Sequence, residues 1–228
     1  MELTGLQNPM VKAAAELKQK KYRQQQGLFL AEGLRTVEEA VRYGAVQSIF
    51  YTAIEDDRTR AVLEEAAGKR LDDFLASGKM LLVLDRVMDP GNIGTMLRTA
   101  DAAGVGGLLL LQGCADIYAP KTVRASMGSL FHLPVLSGLS EELLVQAARK
   151  AGYELLVTCL DGADNLYKAD LQGRLAFVMG NEANGVSDAL LAAADKRVFI
   201  PMQGRAESLN VAMAAGIVMF EALRQRLK

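Results

Sequence analysis

Three short segments gather most of the polar side chains and glycines that could bind a small molecule. The first is Asp85-Arg-Val-Met-Asp-Pro-Gly-Asn-Ile-Gly-Thr-Met-Leu-Arg98. The second is Phe177-Val-Met-Gly-Asn-Glu-Ala-Asn-Gly185, and the third runs from Ile200-Pro-Met202 to Glu207-Ser-Leu-Asn210. In the second and third, an apolar strand-like run breaks into a Gly-rich polar loop, and the loop opens a helix. Such strand ends leave backbone N–H and C=O groups free to meet a ligand. In the first, a wheel at about 100° per residue gathers Ile93, Met96, Leu97, Ala100 and Ala103 into one apolar stripe. Arg98 falls on another face beside Gly94, Thr95 and Ala102. An arginine among small residues has room for a ligand or a partner subunit; an ordinary surface arginine fits the wheel equally well. Glu182 stands at the mouth of the second loop, as a ligand-facing carboxylate or a solvated one. Ser208 reads as the N-cap of the last helix.

These segments need a scaffold. Met80–Leu84, Gly107–Leu111, Glu154–Cys159, Leu175–Met179 and Arg197–Pro201 are continuous apolar runs, as expected of strands covered on both faces. Helical patterns lie between them at Ile93–Ala103, Glu141–Ala151 and Ser187–Ala194, and Ser208–Leu227 closes the chain. Strands alternating with helices predict a mostly parallel α/β sheet with helices on both faces. Asp89-Pro-Gly91 reads as a turn. Before Ser77-Gly-Lys79 the texture differs. Residues 1–27 read as a basic helical segment, Phe29–Gly33 and Val46–Tyr51 as strands, Arg35–Tyr43 as a helix stopped by Gly44, and Glu55–Ala76 as a helix interrupted by Gly68. The expected division is a small α/β domain over 1–77 and a sheet domain over 80–228.

Composition narrows the function. The 228 residues carry a net charge of −1, so bulk charge does not announce a nucleic-acid binder and any polyanion site must be local. Lys12, Lys18, Lys20, Lys21 and Arg23 against Glu2 and Glu16 give residues 1–30 a charge of +3. A solvated helix face is the alternative reading of that cluster. Two cysteines, Cys114 and Cys159, and one histidine, His132, give no disulfide framework and no zinc spacing. Both thiols are expected to be buried, and His132 to be a packing or surface residue. No signal-peptide pattern and no run of about 20 apolar residues is present, which predicts a soluble cytoplasmic protein without a membrane span. Gly104-Val-Gly-Gly107 precedes a strand and is no dinucleotide fingerprint. Arg124-Ala-Ser-Met-Gly-Ser129 lacks the glycine a nucleophile elbow needs before Ser126.

Together the three segments resemble the SpoU/TrmH family of RNA ribose methyltransferases, of the SPOUT class. Asn92, Gly94 and Arg98 match its first motif. Gly180-Asn-Glu182 matches the second, and Ile200-Pro-Met202 with Ser208-Leu-Asn210 the third. The likeness covers about residues 80–228, with Lys121–Pro134 also family-like, and 28–45 weakly resembles a ribosomal-protein-like substrate-binding module. Between Tyr51 and Met80 the chain is shorter than that module implies. The resemblance implies a C-terminal trefoil knot, a homodimer and no metal. It also implies S-adenosylmethionine held by Thr158, Leu160, Gly180, Glu182, Ile200, Met202, Ser208, Leu209 and Asn210. The reaction it implies is methyl transfer to a ribose 2′-hydroxyl, in ribosomal RNA before transfer RNA; a non-catalytic RNA-binding assembly factor of the same fold is the alternative. Arg98 would be essential, with Asn92, Glu182, Ser208 and Asn210 orienting it and the ribose. The family's general-base role sits uneasily with a guanidinium protonated to above about pH 12, and stabilising the alkoxide or clamping a phosphate suits it as well. RNA contacts are expected from Lys18, Lys20, Lys21, Arg23, Lys121 and Arg124.

Overall fold

The computed structural model describes residues 8–30, 33–42, 46–49, 57–159 and 162–227. It divides into two compact units between Lys69 and Arg70.

In the first unit, Pro9–Glu16 forms α1, Lys20–Gln26 α2 and Leu34–Arg42 α3. Asn8 caps α1, its side chain accepting from the Met10 N–H, with Pro9 in the first turn. The basic segment is thus two helices, broken at Leu17–Gln19. The expected Phe29–Gly33 and Val46–Tyr51 strands lie partly outside the described residues, as does Gly44; residues 28–30 and 46–49 are not strand. Helix α4, Asp57–Ala76, continues through Gly68, a correction to the expected break. A mid-helix glycine costs only about 1 kcal/mol relative to alanine, too little to end a 20-residue helix.

The second unit is built on a seven-stranded sheet in which every neighbouring pair of strands is parallel. Its strands are β1 Leu81–Leu84, β2 Gly107–Leu111, β3 Val135–Leu139, β4 Glu154–Thr158, β5 Asp164–Asn165, β6 Leu175–Met179 and β7 Lys196–Phe199. The order across the sheet is β3-β2-β1-β6-β4-β7-β5. Strands β1, β2 and β6 are buried at every residue, as their unbroken apolar runs required. The helices are α5 Pro90–Ala102, α6 Pro120–Ser126, α7 Glu141–Lys150, α8 Asp188–Ala193 and α9 Val211–Arg226.

The stripe of α5 is buried as the wheel required: Ile93, Met96, Leu97 and Ala100 are fully enclosed. Burying each of the larger three contributes about 2 kcal/mol. Asp89-Pro-Gly91 is not a free-standing turn. Asp89 is the N-cap of α5, accepting from the Gly91 and Asn92 N–H groups, and Pro90 begins the helix. Proline suits that position because the first turn has no partner for its missing N–H. Strands β3 and β5 and helix α6 were not among the expected elements. Strand β3 lies at the sheet edge, is half exposed, and bends at Gly138 with φ of 82°, so it lacks a continuous apolar run. Helix α6 has only seven residues and ends at Met127 in the left-handed region. Cys114 and Cys159 are in no disulfide and are half-buried rather than enclosed.

Candidate active site

All parallel strands end at one edge of the sheet, and the polar loops follow those ends. Strands β1 and β6 are neighbours, with Leu84 opposite Met179, so Asp85–Asp89 and Gly180–Ser187 emerge side by side. Side-chain and backbone hydrogen bonds brace the second loop. Asn181 and Gly185 exchange backbone hydrogen bonds, and the Asn181 carbonyl oxygen accepts from the Ala183 and Asn184 N–H groups. The Asn181 amide donates to the Arg86 carbonyl at 2.8 Å. Fully buried Asp85 accepts from the Ser187 N–H at 2.8 Å and is paired on its other side with Arg86. Gly180 is obligatory: a Cβ there would lie 2.2 Å from the Gly185 carbonyl carbon and 2.3 Å from the Val186 nitrogen.

The loop so held presents Glu182. One carboxylate oxygen accepts from the Asn92 amide at 3.0 Å and the Asp89 N–H at 3.3 Å, and the other from the Met88 N–H at 3.3 Å. The Asn92 carbonyl oxygen in turn accepts from the Asn210 amide at 3.0 Å. Asn210 closes the chain by accepting from the Ala212 and Met213 N–H groups at the start of α9. The line Glu182–Asn92–Asn210–α9 therefore ties the loops after β6, β1 and β7 together. Each amide has its orientation set, donating on one side and accepting on the other. Desolvation pushes the Glu182 carboxyl up, but the hydrogen bonds from Asn92 and the loop N–H groups outweigh it and the net shift is down. Asp89 is likewise held down, by Lys121 first and by the α5 N-terminal N–H groups.

The N-cap of α9 is Asn210, a correction to the reading of Ser208 in that role: only the Asn210 oxygen reaches the first-turn N–H groups, so the helix begins at Val211. Ser208 and Leu209 are exposed in the preceding loop. Residues 200–209 form no backbone–backbone hydrogen bond with any described residue, so their N–H and C=O groups are available. Ile200 and Met202 are half-buried there, and Thr158, at the end of β4, bonds the Met179 sulfur at 3.8 Å. Leu160 lies outside the described residues. A bent nucleoside needs apolar walls and unspent backbone donors and acceptors, and this edge supplies both.

Arg98 is exposed and makes no hydrogen bond or ion pair with a described residue. Along α5 it lies about 9 Å beyond Asn92 and about 240° around the axis, away from the Glu182–Asn92–Asn210 line. Its small neighbour Gly94 is not open space, a correction to the wheel. Gly94 is buried against α6, where a Cβ would meet the Thr122 carbonyl at 2.5 Å and the Ala125 side chain at 2.6 Å. Close packing of α6 consumes that room. His132 is exposed and bonds Asp101, one turn past Arg98, at 2.8 Å.

Among the basic residues, Lys121 pairs with Asp89 at 2.9 Å and Arg124 is exposed. Lys18 and Lys21 are exposed, and the Arg23 guanidinium bonds the Leu17 and Lys18 carbonyls at 2.9 and 2.7 Å. Lys20 lies in α2, but its side chain is outside what the structure describes. Asp85 and Asn181 are the site-shaping residues that sequence reasoning missed. The signal for Asp85 was a carboxylate ending an apolar strand; Asn181 had none beyond its place next to Glu182. Among the described residues no group of three or more His, Cys, Asp or Glu could hold a metal, and no helix is long and apolar enough to cross a membrane.

Comparison with known proteins gives the same picture. The profile of the SpoU rRNA methylase family matches residues 79–220, and that of the MRM3-like substrate binding domain matches 8–88. The chain is 34% identical to the 23S rRNA (guanosine(2553)-2′-O)-methyltransferase RlmP of Bacillus subtilis, across 96% of this chain and 98% of that one. Its fold is similar to the AdoMet-bound rRNA methyltransferase of Sinorhizobium meliloti, with TM-score 0.66, 33% identity, and coverage of 100% of this chain and 99% of that one. It is also similar to the SpoU methyltransferase AviRb of Streptomyces viridochromogenes in complex with AdoMet, with TM-score 0.63, 32% identity, and coverage of 96% and 99%.

Proposed function

The chain belongs to the SpoU rRNA methylase family, and from that premise we propose how its residues carry out the family's reaction. It is an S-adenosylmethionine-dependent methyltransferase acting on a ribose 2′-hydroxyl in ribosomal RNA. The observation that carries the site assignment is the hydrogen-bonded line Glu182–Asn92–Asn210, which joins the loops of all three motifs at the sheet edge.

S-adenosylmethionine, when bound, supplies the electrophilic methyl group. Ile200, Met202 and Leu209 would wall its adenosine, and the unspent backbone of residues 200–209 would bond its edges, with Thr158 and Gly180 beneath. Leu160 belongs to the same proposed set. Asn92, Asn210 and Ser208 would fix the ribose hydroxyl in line with the methyl group, and that fixed geometry is a large part of the rate. Glu182, held ionised by its donors, is an acceptor that keeps Asn92 in one orientation.

Arg98 would meet the negative charge that grows on the ribose oxygen. It faces away from its own protomer's line, which favours a homodimer in which each Arg98 serves the site of the second copy. Exposed Met213 and Phe220, seven residues apart on α9, would be covered in that dimer. Lys18, Lys20, Lys21, Arg23, Lys121 and Arg124 would contact RNA phosphates. Residues 1–77 would form the RNA-reading domain and 80–228 the catalytic one, in a cytoplasmic protein whose knotted loops make the pocket. In Arg98→Ala, S-adenosylmethionine should still bind by calorimetry while methyl transfer to ribosomal RNA falls at least about a hundredfold. Full activity in that variant sinks the role given to Arg98, and absence of cofactor binding by the wild type sinks the enzyme reading.

A further inference from the structure

Phe29 stands largely in water. It is 73% exposed, in a unit whose described, buried apolar side chains are only Leu17, Val41 and Val62. Leaving a phenylalanine in water forgoes about 2 kcal/mol of burial, in the unit with least apolar surface to spare. What Phe29 does border is a depression of about 550 Å³ lined by Leu17, Lys18, Arg23, Phe29 and Leu30. That volume is within the roughly 300–1,000 Å³ of small-ligand sites.

Among the described residues the lining combines an aromatic ring, two leucines and two cations, with no carboxylate. Among residues 8–30 the one acidic side chain is Glu16, which does not line it. Arg23 is fixed at the rim: its Nη1 donates to the last carbonyls after α1, leaving Nε and Nη2 without a described partner. A guanidinium anchored on one side is preorganised to take a phosphate with the other. Gly27, with φ of 67°, ends α2 and turns the chain into the Leu28–Leu30 segment that carries the ring. An apolar peptide would leave Lys18 and Arg23 unpaired, and a free anion would leave the ring unused; a nucleotide uses both.

We propose that this depression seats one unstacked nucleotide of single-stranded RNA, with its base on Phe29 and its phosphate on Lys18 and Arg23. The proposal rests on the RNA-methyltransferase reading and adds where, and in what form, RNA meets the N-terminal unit. The test uses the full chain and a single-stranded oligoadenylate of about 12 nucleotides, within the usual span of such sites. Phe29→Ala should weaken binding about tenfold, the scale of one base–aromatic stack. It should leave the salt dependence unchanged, and Phe29→Tyr should restore affinity. Lys18→Ala should instead flatten the logarithmic salt slope by about 0.7. A fully paired RNA of equal length should not notice Phe29→Ala. Unchanged oligoadenylate binding, equal loss for paired RNA, or a shift in sedimentation that makes Phe29 a protein contact would each overturn the seat. Calorimetric binding of S-adenosylmethionine by the same variants separates the two readings: its persistence keeps the methyltransferase reading even where the seat fails.

Discussion

The sheet edge and the N-terminal unit solve opposite problems. At the sheet edge, polar side chains spend their hydrogen bonds on one another and on loop backbone: Asp85 on Ser187, Asn181 on Arg86, Glu182 on Asn92, Asn92 on Asn210. Beneath them β1 and β6 are fully buried, so the frame cannot shift without breaking close packing. In the N-terminal unit α1 and α2 are short, the described buried apolar residues few, and an aromatic ring and several cations face water. Chemistry on a poor nucleophile needs fixed geometry, and reading a flexible RNA strand needs exposed rings and charge. On the proposed assignment of roles, rigidity is placed where the methyl group would move and adaptability where the RNA would be gripped.

The largest effect that would break this contrast is expected at Gly180. In Gly180→Ala the added carbon has no space against Gly185 and Val186, so the loop must open. Cofactor binding should be lost altogether by calorimetry, with thermal stability falling by several degrees; a variant that binds S-adenosylmethionine normally would show that the edge is not rigid. Next comes Asn210→Ala, which removes both the link to Asn92 and the cap of α9. The lost cap costs about 1 kcal/mol of stability, and methyl transfer should fall by about two orders of magnitude. Subunits of Asn210→Ala mixed with Arg98→Ala should regain activity, since one mixed site receives intact parts from both copies. No recovery on mixing would place Arg98 in its own protomer's site.

The smallest effect is at Glu221, buried on α9 with Arg224 and Gln225 as partners. The Arg224 hydrogen bond leads in lowering its pKa to about 2, against burial, which raises it. The folded pKa lies below the unfolded one, so the stabilisation is fully present above the ordinary carboxylate range and is lost as pH falls towards about 2. Glu221→Gln should therefore be less stable than wild type by about 1 kcal/mol at neutral pH in urea titrations. The difference should shrink as pH falls below the ordinary carboxylate range and vanish only below about pH 2. The transition of the N-terminal unit, which lacks this pair, should be indifferent to the substitution; equal destabilisation of both units would erase the contrast.

Much of the sheet was legible in the chain, because a strand covered on both faces must be apolar throughout, and Gly107–Leu111 and Leu175–Met179 meet that demand residue for residue. Strand β3 was not, because an edge strand is released from it. The stripe of α5 followed from its period, but the space around Gly94 did not, since a wheel shows one helix and not the neighbour that fills its groove. The segments that hold the site were evident from strand–glycine–helix junctions. That Asn210 rather than Ser208 caps α9 depended on which oxygen the folded loop brings to the first turn.

Residue type and order alone determined a parallel α/β sheet, its family and the loops that bear the site. Only the tertiary structure decided that Glu182, Asn92 and Asn210 form one hydrogen-bonded line, that Asp85 and Asn181 brace it, and that α6 fills the space beside Gly94. The physical reason is that burial pattern is a local property of a chain, written in its period. A hydrogen bond between residues about a hundred positions apart exists only once the sheet has set their strand ends side by side.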